Sequence, residues 1–206
     1  INNKIKIEDF KNKIICGDCL EVMKDIPDKS IDLVLTDPPY GINYKEWDRI
    51  DFISFTKKWV NECFRVLKET GSFYSFMGWT NVSEFKLLLD KYGIIRNWIT
   101  WHRTKGRGSS KNYKSMKEEI LYYTKSKKYT WNEQKMLKKH IFPYVKNGKP
   151  RGWFTNEEGI KCRWTGLGNV WFYTVPFWKM PEYAGHPSQK PELMFERIIL
   201  SSSNET

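Results

Sequence analysis

The spacing of apolar side chains changes character several times along the chain, and each change marks an element. Ile31-Asp32-Leu33-Val34-Leu35 is a short run dense in β-branched and apolar residues, the pattern of a buried parallel strand. It breaks at Asp37-Pro38-Pro39-Tyr40, where two prolines without N–H groups must end the ladder. A carboxylate and an aromatic ring are thereby delivered to the carboxyl edge of a sheet, where open α/β sheets place their ligands. Lys13-Ile14-Ile15-Cys16 predicts an earlier strand, ended by Gly17 and Asp18. Asp18 is placed to N-cap a short helix carrying Leu20, Met23 and Ile26. From Asp51, residues Phe52, Phe55, Trp59, Cys63 and Val66 recur at helical spacing until Thr70-Gly71. Ser72 to Met77 predicts a strand. Asn81 and Glu84 form a capping-box signature for a helix bearing Val82, Phe85, Leu88, Leu89 and Tyr92, closed by Gly93. Ile94 to Trp101 and Glu118 to Thr124 predict two more strands, and Pro191 opens a helix with Leu193, Met194 and Ile198 on its apolar face. Strands alternating with helices predict an α/β fold.

Composition narrows the partners. The 206 residues suffice for one sizeable core and a smaller subdomain. Lys and Arg number 35 against 24 Asp and Glu, a formal net charge of +11, which suits a polyanionic partner. From Lys125 to about Met180 the strand–helix alternation disappears. Eight lysines and Arg151 fall between 125 and 151 with little acid, among tryptophans and other aromatics. Basic side chains hold phosphates, and aromatics interleaved with them suit nucleic acid; a solvated basic insert is the plainer alternative. The segment Arg103 to Lys111, rich in glycine and basic residues, reads as a phosphate-contacting or simply exposed loop. Four scattered cysteines exclude a secreted disulfide scaffold. Cys16 and Cys19 have C-x-x-C spacing but no second pair, so they read as a strand end and a helix start, with no metal site. No apolar run reaches membrane-spanning length and no signal peptide is visible, so the expected setting is cytoplasmic, with no membrane partner.

Asp37-Pro38-Pro39-Tyr40 resembles the catalytic motif of amino-directed DNA methyltransferases, which make N6-methyladenine or N4-methylcytosine from S-adenosylmethionine. The chemistry of the residues agrees. An exocyclic amine is a poor nucleophile because its lone pair is delocalised into the ring. Acceptors on its N–H bonds, here the Asp37 carboxylate and the Pro38 carbonyl, would localise that pair. Tyr40 offers a face for a base taken out of its stack, and stacking of about 1–3 kcal/mol offsets much of what flipping costs. His186-Pro187-Ser188-Gln189-Lys190-Pro191 resembles the approach to the family's cofactor helix. His186, Ser188 and Lys190 would then lie near the carboxylate or ribose end of the cofactor, and the resemblance counts Asp37 among the cofactor-binding residues as well. An acid after the first strand, here Asp18, would contact its adenine, although capping alone also explains Asp18.

With the catalytic strand first, the target insert second and the cofactor helix last, the order resembles the permuted β group of restriction–modification enzymes. The resemblance implies a class I methyltransferase fold, a Rossmann-like doubly wound sheet. It assigns 1–124 to the catalytic α/β part, 125–180 to a target-recognition insert and 181–206 to the start of the cofactor-binding part. It further implies methyl transfer to adenine N6 in double-stranded DNA, and it allows a homodimer and a cognate restriction endonuclease. Cytosine N4 or RNA as acceptor, and a non-catalytic DNA-binding or specificity subunit, are the alternatives. Family members continue into a strand and a glycine-rich turn of the form D-x-F-x-G-x-G, whereas this sequence stops at Ser202-Ser203-Asn204-Glu205-Thr206. Gly166-Leu167-Gly168 lies in the wrong place to substitute. The expectation is a part of a longer enzyme, with weak cofactor binding by these residues alone.

Overall fold

The computed structural model describes residues 6–107, 110–139, 145–147, 149–150 and 152–205. They divide into two compact units, one of residues 1–131 with 169–206 and one of residues 132–168. In chain order the elements of the first unit are α1 (Cys19–Lys24), β1 (Ile31–Thr36), α2 (Phe52–Val66), β2 (Leu67–Met77), α3 (Val82–Leu89), β3 (Ile94–Arg107) and β4 (Ser115–Thr124). The second unit carries β5 (Lys135–Lys139), β6 (Val145–Lys146), β7 (Lys149–Pro150), β8 (Phe154–Thr155) and β9 (Lys161–Gly166). The chain returns to the first unit with β10 (Val170–Phe172) and α4 (Glu192–Ser202).

The first unit is a five-stranded sheet of order β1-β2-β4-β3-β10. β1 pairs parallel to β2, and β10 parallel to β3; β4 runs antiparallel between β2 and β3. Period-two alternation sends neighbouring residues to opposite faces. Phe73, Leu121 and Tyr123 join Trp59, Val60, Phe64, Phe85 and Leu89 in a core beneath α2 and α3. Tyr74, Phe76, Ile99, Trp101, Ile120 and Tyr122 join Met194 and Ile198 of α4 in a second core on the opposite face. Helices on both faces are the doubly wound arrangement. Tyr74 and Tyr122 stack there at 4.2 Å, and the Tyr74 hydroxyl bonds Ser202 Oγ at 2.8 Å, tying α4 to the sheet.

Several elements depart from expectation, each for a local reason. Lys13–Cys16 is not a strand. It pairs with no other strand among the described residues, and Ile14 and Ile15 are exposed, so extended backbone there gains no ladder. α2 ends four residues before Thr70, and β2 begins at Leu67. The register jumps from Ile31↔Leu67 to Leu33↔Ser72, and Gly71 sits in that bulge. A Cβ there would lie 2.9 Å from the Lys68 carbonyl and 3.2 Å from that of Asp32, so glycine is required by close backbone approach. The basic loop is, as far as Arg107, a continuation of β3, with an irregular step between His102↔Lys117 and Arg107↔Ser115; residues 108 and 109 lie outside the described residues. Leu193, expected on the apolar face of α4, is exposed. Lys125, counted with the basic insert, caps α2: its ammonium donates to the Phe64 and Leu67 carbonyls at 2.7 and 2.8 Å.

The second unit is all β, a three-stranded antiparallel sheet of order β5-β9-β8 and a two-residue ribbon of β6 with β7. Cys162 is fully buried in it, whereas Trp164 on the same strand is exposed. No helix among the described residues is long and apolar enough to cross a membrane.

The thiols give a direct check on this packing. Cys16 and Cys19 are exposed, whereas Cys63 and Cys162 are buried. Burial pushes the Cys63 thiol up to about 12. Because the thiolate is the reactive form, Cys63 and Cys162 are expected to resist a thiol reagent at pH 8 until denaturant is added, while Cys16 reacts at once. Peptide mapping after timed alkylation reads this, and labelling of Cys63 in the native protein would contradict the α2 packing.

Candidate active site

The turn after β1 places Asp37 at the carboxyl edge of the sheet. Its carboxylate is held at both oxygens. Oδ2 accepts from Lys190 Nζ at 2.8 Å, and Oδ1 accepts from the Tyr40 hydroxyl at 2.8 Å. Glu118, at the start of β4, stands beside them. Its Oε2 lies 3.2 Å from the Tyr40 hydroxyl and 3.3 Å from Lys190 Nζ. Its Oε1 pairs with Arg103 Nη1 of β3 at 3.1 Å, and Arg103 Nη2 donates to the Ser115 carbonyl at 2.9 Å. Two carboxylates and two cations from the β1 turn, β3, β4 and the approach to α4 thus form one connected cluster. Burial, with the Asp37 and Glu118 carboxylates beside it, pushes the Tyr40 phenol well above its ordinary value. The hydroxyl therefore stays protonated and donates.

The backbone of the turn is fixed from two sides. Asn81 Nδ2 donates to the Tyr40 carbonyl at 2.7 Å. This corrects the expected capping box, since Asn81 makes no side-chain bond to α3. Asp48, in a short 3₁₀ turn, is buried, and its carboxylate collects three backbone N–H groups. Gly41 donates to Oδ1 at 2.8 Å, and Ile42 and Tyr44 donate to Oδ2 at 2.9 Å each. Gly41 has φ +69, and a Cβ there would meet Phe52 at 2.9 Å. Gly78, just past β2, lets the Tyr40 ring approach: a Cβ at Gly78 would lie 3.1 Å from it.

A cavity of about 510 Å³ opens at this cluster. Asp37, Pro38, Pro39 and Tyr40 line it together with Trp101, Glu118, His186, Ser188 and Lys190. Its volume is in the range of small-molecule sites. Trp47 and Trp79, both more than half exposed, also line it and give the rim an aromatic character. The segment before α4 is folded on itself. Gln189 Nε2 donates to the Glu182 carbonyl at 2.5 Å, Gln189 Oε1 accepts from Ala184 N at 2.8 Å, and the Glu182 carboxylate accepts from Glu192 N at 2.8 Å. His186 Nδ1 accepts from Ser188 N at 3.2 Å.

The structure therefore brings seven of the eight singled-out residues to one cavity. Asp18 is elsewhere: it is exposed, caps α1 through Leu20 N at 2.8 Å, and does not line the cavity. Glu118, Arg103, Asn81 and Asp48 were not singled out for the site. Glu118 stood at a strand end, Arg103 in an apparent loop and Asn81 in an apparent cap. Nothing in sequence marks Asp48 as a hub, because its three partners are backbone amides.

A sheet with helices on both faces and an acid-proline-proline-tyrosine turn at its carboxyl edge defines an amino-methyltransferase architecture, and comparison with known proteins agrees. The DNA methylase family of N6/N4 methyltransferases matches residues 31–206, and the chain belongs to that family. It is 33% identical over 203 residues to the type II methyltransferase M.HpaI of Haemophilus parainfluenzae, covering 94% of this chain and 60% of that protein. It is 35% identical over 206 residues to the DNA adenine methyltransferase YhdJ of Escherichia coli K12, covering 93% of this chain and 67% of that protein. The chain thus spans about three fifths to two thirds of the length of these relatives. The fold is shared with the crystal structure of the M1.HpyAVI–SAM complex, at a TM-score of 0.56 and 20% identity, covering 93% of this chain and 78% of the other.

Proposed function

We propose that this chain carries the catalytic centre of a site-specific DNA methyltransferase that transfers a methyl group from S-adenosylmethionine to adenine N6 in double-stranded DNA. The observation that carries the reading is the Asp37-Pro38-Pro39-Tyr40 turn facing a cavity of about 510 Å³, with both Asp37 oxygens directed to hydrogen-bond donors. A carboxylate so presented can accept from an exocyclic amine and localise its lone pair. Asp37 is the principal acceptor, Pro38 and Pro39 fix the turn, and Tyr40 provides the ring against which an extruded base rests. The cavity sets aromatic and proline side chains beside a cluster of charged and polar groups, which fits a charged nucleoside cofactor. His186 and Ser188 would hold S-adenosylmethionine. Bound, that cofactor supplies a methyl group on a sulfonium, already activated for in-line displacement. The chain's own part is positioning. Asp18, which caps α1 and does not line the cavity, would contact the adenine end of the cofactor.

The lysines and aromatics of the 132–168 unit, in the expected target-recognition insert, would take phosphates and base edges. A cytoplasmic restriction–modification role, with a cognate endonuclease, and assembly as a homodimer belong to the same proposal. The test is methyl transfer to mixed-sequence unmethylated DNA by the complete gene product, followed by nucleoside mass spectrometry. N6-methyladenine, missing from an Asp37→Ala control, is the expected result. N4-methylcytosine would reassign the acceptor, and DNA binding with no methylated base would replace the reading by a DNA-binding subunit.

A further inference from the structure

Lys190 belongs to the hexapeptide whose family resemblance places it beside the cofactor; it lines the cavity, and its ammonium is paired with two carboxylates there. Its side chain is 7% exposed. Its ammonium is 2.8 Å from Asp37 Oδ2 and 3.3 Å from Glu118 Oε2. Phe76, Tyr40 and Trp101 surround it, with ring centroids 5.3, 5.7 and 6.0 Å from Nζ. An ammonium with three donors and no acceptor, enclosed in this way, is held by its two carboxylates, and the faces of the rings add to them. Arg103 holds the other oxygen of Glu118, so Glu118 is fixed from the sheet and in turn fixes Lys190.

From this arrangement we infer that Lys190 and Glu118 are a positioning pair for the Asp37 carboxylate. The inference rests on the methyltransferase reading above. Asp37 opens the proline-rich turn that follows β1, and among the described residues its local side-chain partner is Tyr40. Without Lys190, one carboxylate oxygen has no protein donor and the group can rotate away from a target amine. Glu118 has a second task. An incoming amine needs Asp37 Oδ2, the oxygen that Lys190 occupies. Because Glu118 Oε2 already lies 3.3 Å from Nζ, the ammonium can move wholly onto Glu118 and remain paired while Oδ2 turns to the target. Lys190 thus holds the acceptor in place before the base arrives and yields it afterwards.

The test uses the complete gene product and separates turnover from cofactor binding. Lys190→Ala is expected to lower kcat about 100-fold, the order lost when one preorganised polar contact is removed from a reacting centre. Its Kd for S-adenosylmethionine, measured by calorimetry, is expected to stay within about threefold, since a contact to another residue leaves cofactor affinity in place. Propylammonium, which replaces the missing cation, is expected to restore kcat at least about tenfold, and propanol of the same length is not. Glu118→Gln, which leaves Lys190 in place and keeps the side chain's shape, is expected to lower kcat about tenfold with cofactor Kd unchanged. The Glu118 variant decides the matter even where Lys190→Ala does not fold, because unchanged turnover in Glu118→Gln overturns the inference. So does a Lys190→Ala protein whose cofactor Kd rises while kcat is kept, or whose lost turnover the amine does not restore. These outcomes, with an active wild-type protein, overturn the positioning pair alone; a wild-type protein that methylates no base overturns the methyltransferase reading and the pair with it.

Discussion

Asp37→Asn is expected to reduce methyl transfer by about 10³-fold while DNA binding stays within a few-fold of wild type. The substitution conserves volume and removes one of two acceptors. In the native cluster each carboxylate oxygen has its own donor, Tyr40 on Oδ1 and Lys190 on Oδ2. An asparagine has one carbonyl oxygen and one NH₂, so the NH₂ must face either the ammonium or the phenol. Either way one donor, Lys190 or Tyr40, loses its Asp37 partner and keeps Glu118, and a single acceptor oxygen has to serve both the remaining donor and the incoming amine. Loss of a single preorganised polar contact at a reacting centre costs about 10²–10³-fold, and here the same change also unseats Lys190. The stability cost is expected to be about 1–3 kcal/mol, because Lys190 keeps Glu118 as a second partner. Single-turnover methylation, fluorescence anisotropy with target DNA and a urea titration separate the three effects. Activity near wild type in Asp37→Asn would remove Asp37 from the chemistry, and a collapse of stability would make the activity loss uninformative.

Asp48→Ala is expected to destabilise the protein by about 2–4 kcal/mol and to lower activity more than the distance from Asp37 suggests. Asp48 is buried, and three backbone N–H groups converge on its carboxylate. Hydrogen bonds to a charged partner contribute about 1.5–3 kcal/mol each, but water reaches a loosened loop and replaces part of that sum. Asp48→Asn keeps one acceptor and should fall between wild type and alanine. The loop from Gly41 to Tyr44 follows directly on Tyr40, so the effect on turnover should track the effect on stability along the series. Chemical denaturation and initial rates on the same three proteins check it. Equal stability of wild type and Asp48→Ala would mean that the loop is held by something other than this carboxylate.

The parts of the molecule legible in the sequence are those where one residue type has one physical consequence. A β-branched run broken by Pro-Pro must be a strand and its end, and Asp37 is found there. Helical spacing of Phe52, Phe55, Trp59 and Cys63 gives α2, with Asp51 capping it through Ser54 N. What stayed hidden involves side chains with several possible partners. Asn81 looks like a cap and instead holds the Tyr40 carbonyl. Lys125 looks like part of a basic insert and instead closes α2. Arg103 and Glu118 are 15 positions apart, and only the β3–β4 pairing makes them neighbours. Ile14 and Ile15 read as a strand because local propensity says nothing about whether a pairing partner stands beside them.

Glu118 and Glu119 are adjacent in β4, and the pleat sends them to opposite faces. Glu118 joins Arg103, Tyr40 and Lys190 at the cavity. Glu119 is buried on the other side, where Trp98 Nε1 and Thr100 Oγ1 donate to it at 2.8 and 3.0 Å and Lys117 pairs with it at 2.6 Å. A slip of one residue would exchange the two carboxylates and bury each against the wrong partners. The sheet therefore serves as a ruler for the chemistry, with an acid locked on each of its faces. One residue gained or lost between Met116 and Ile120 would silence the site while leaving most of the hydrophobic packing intact.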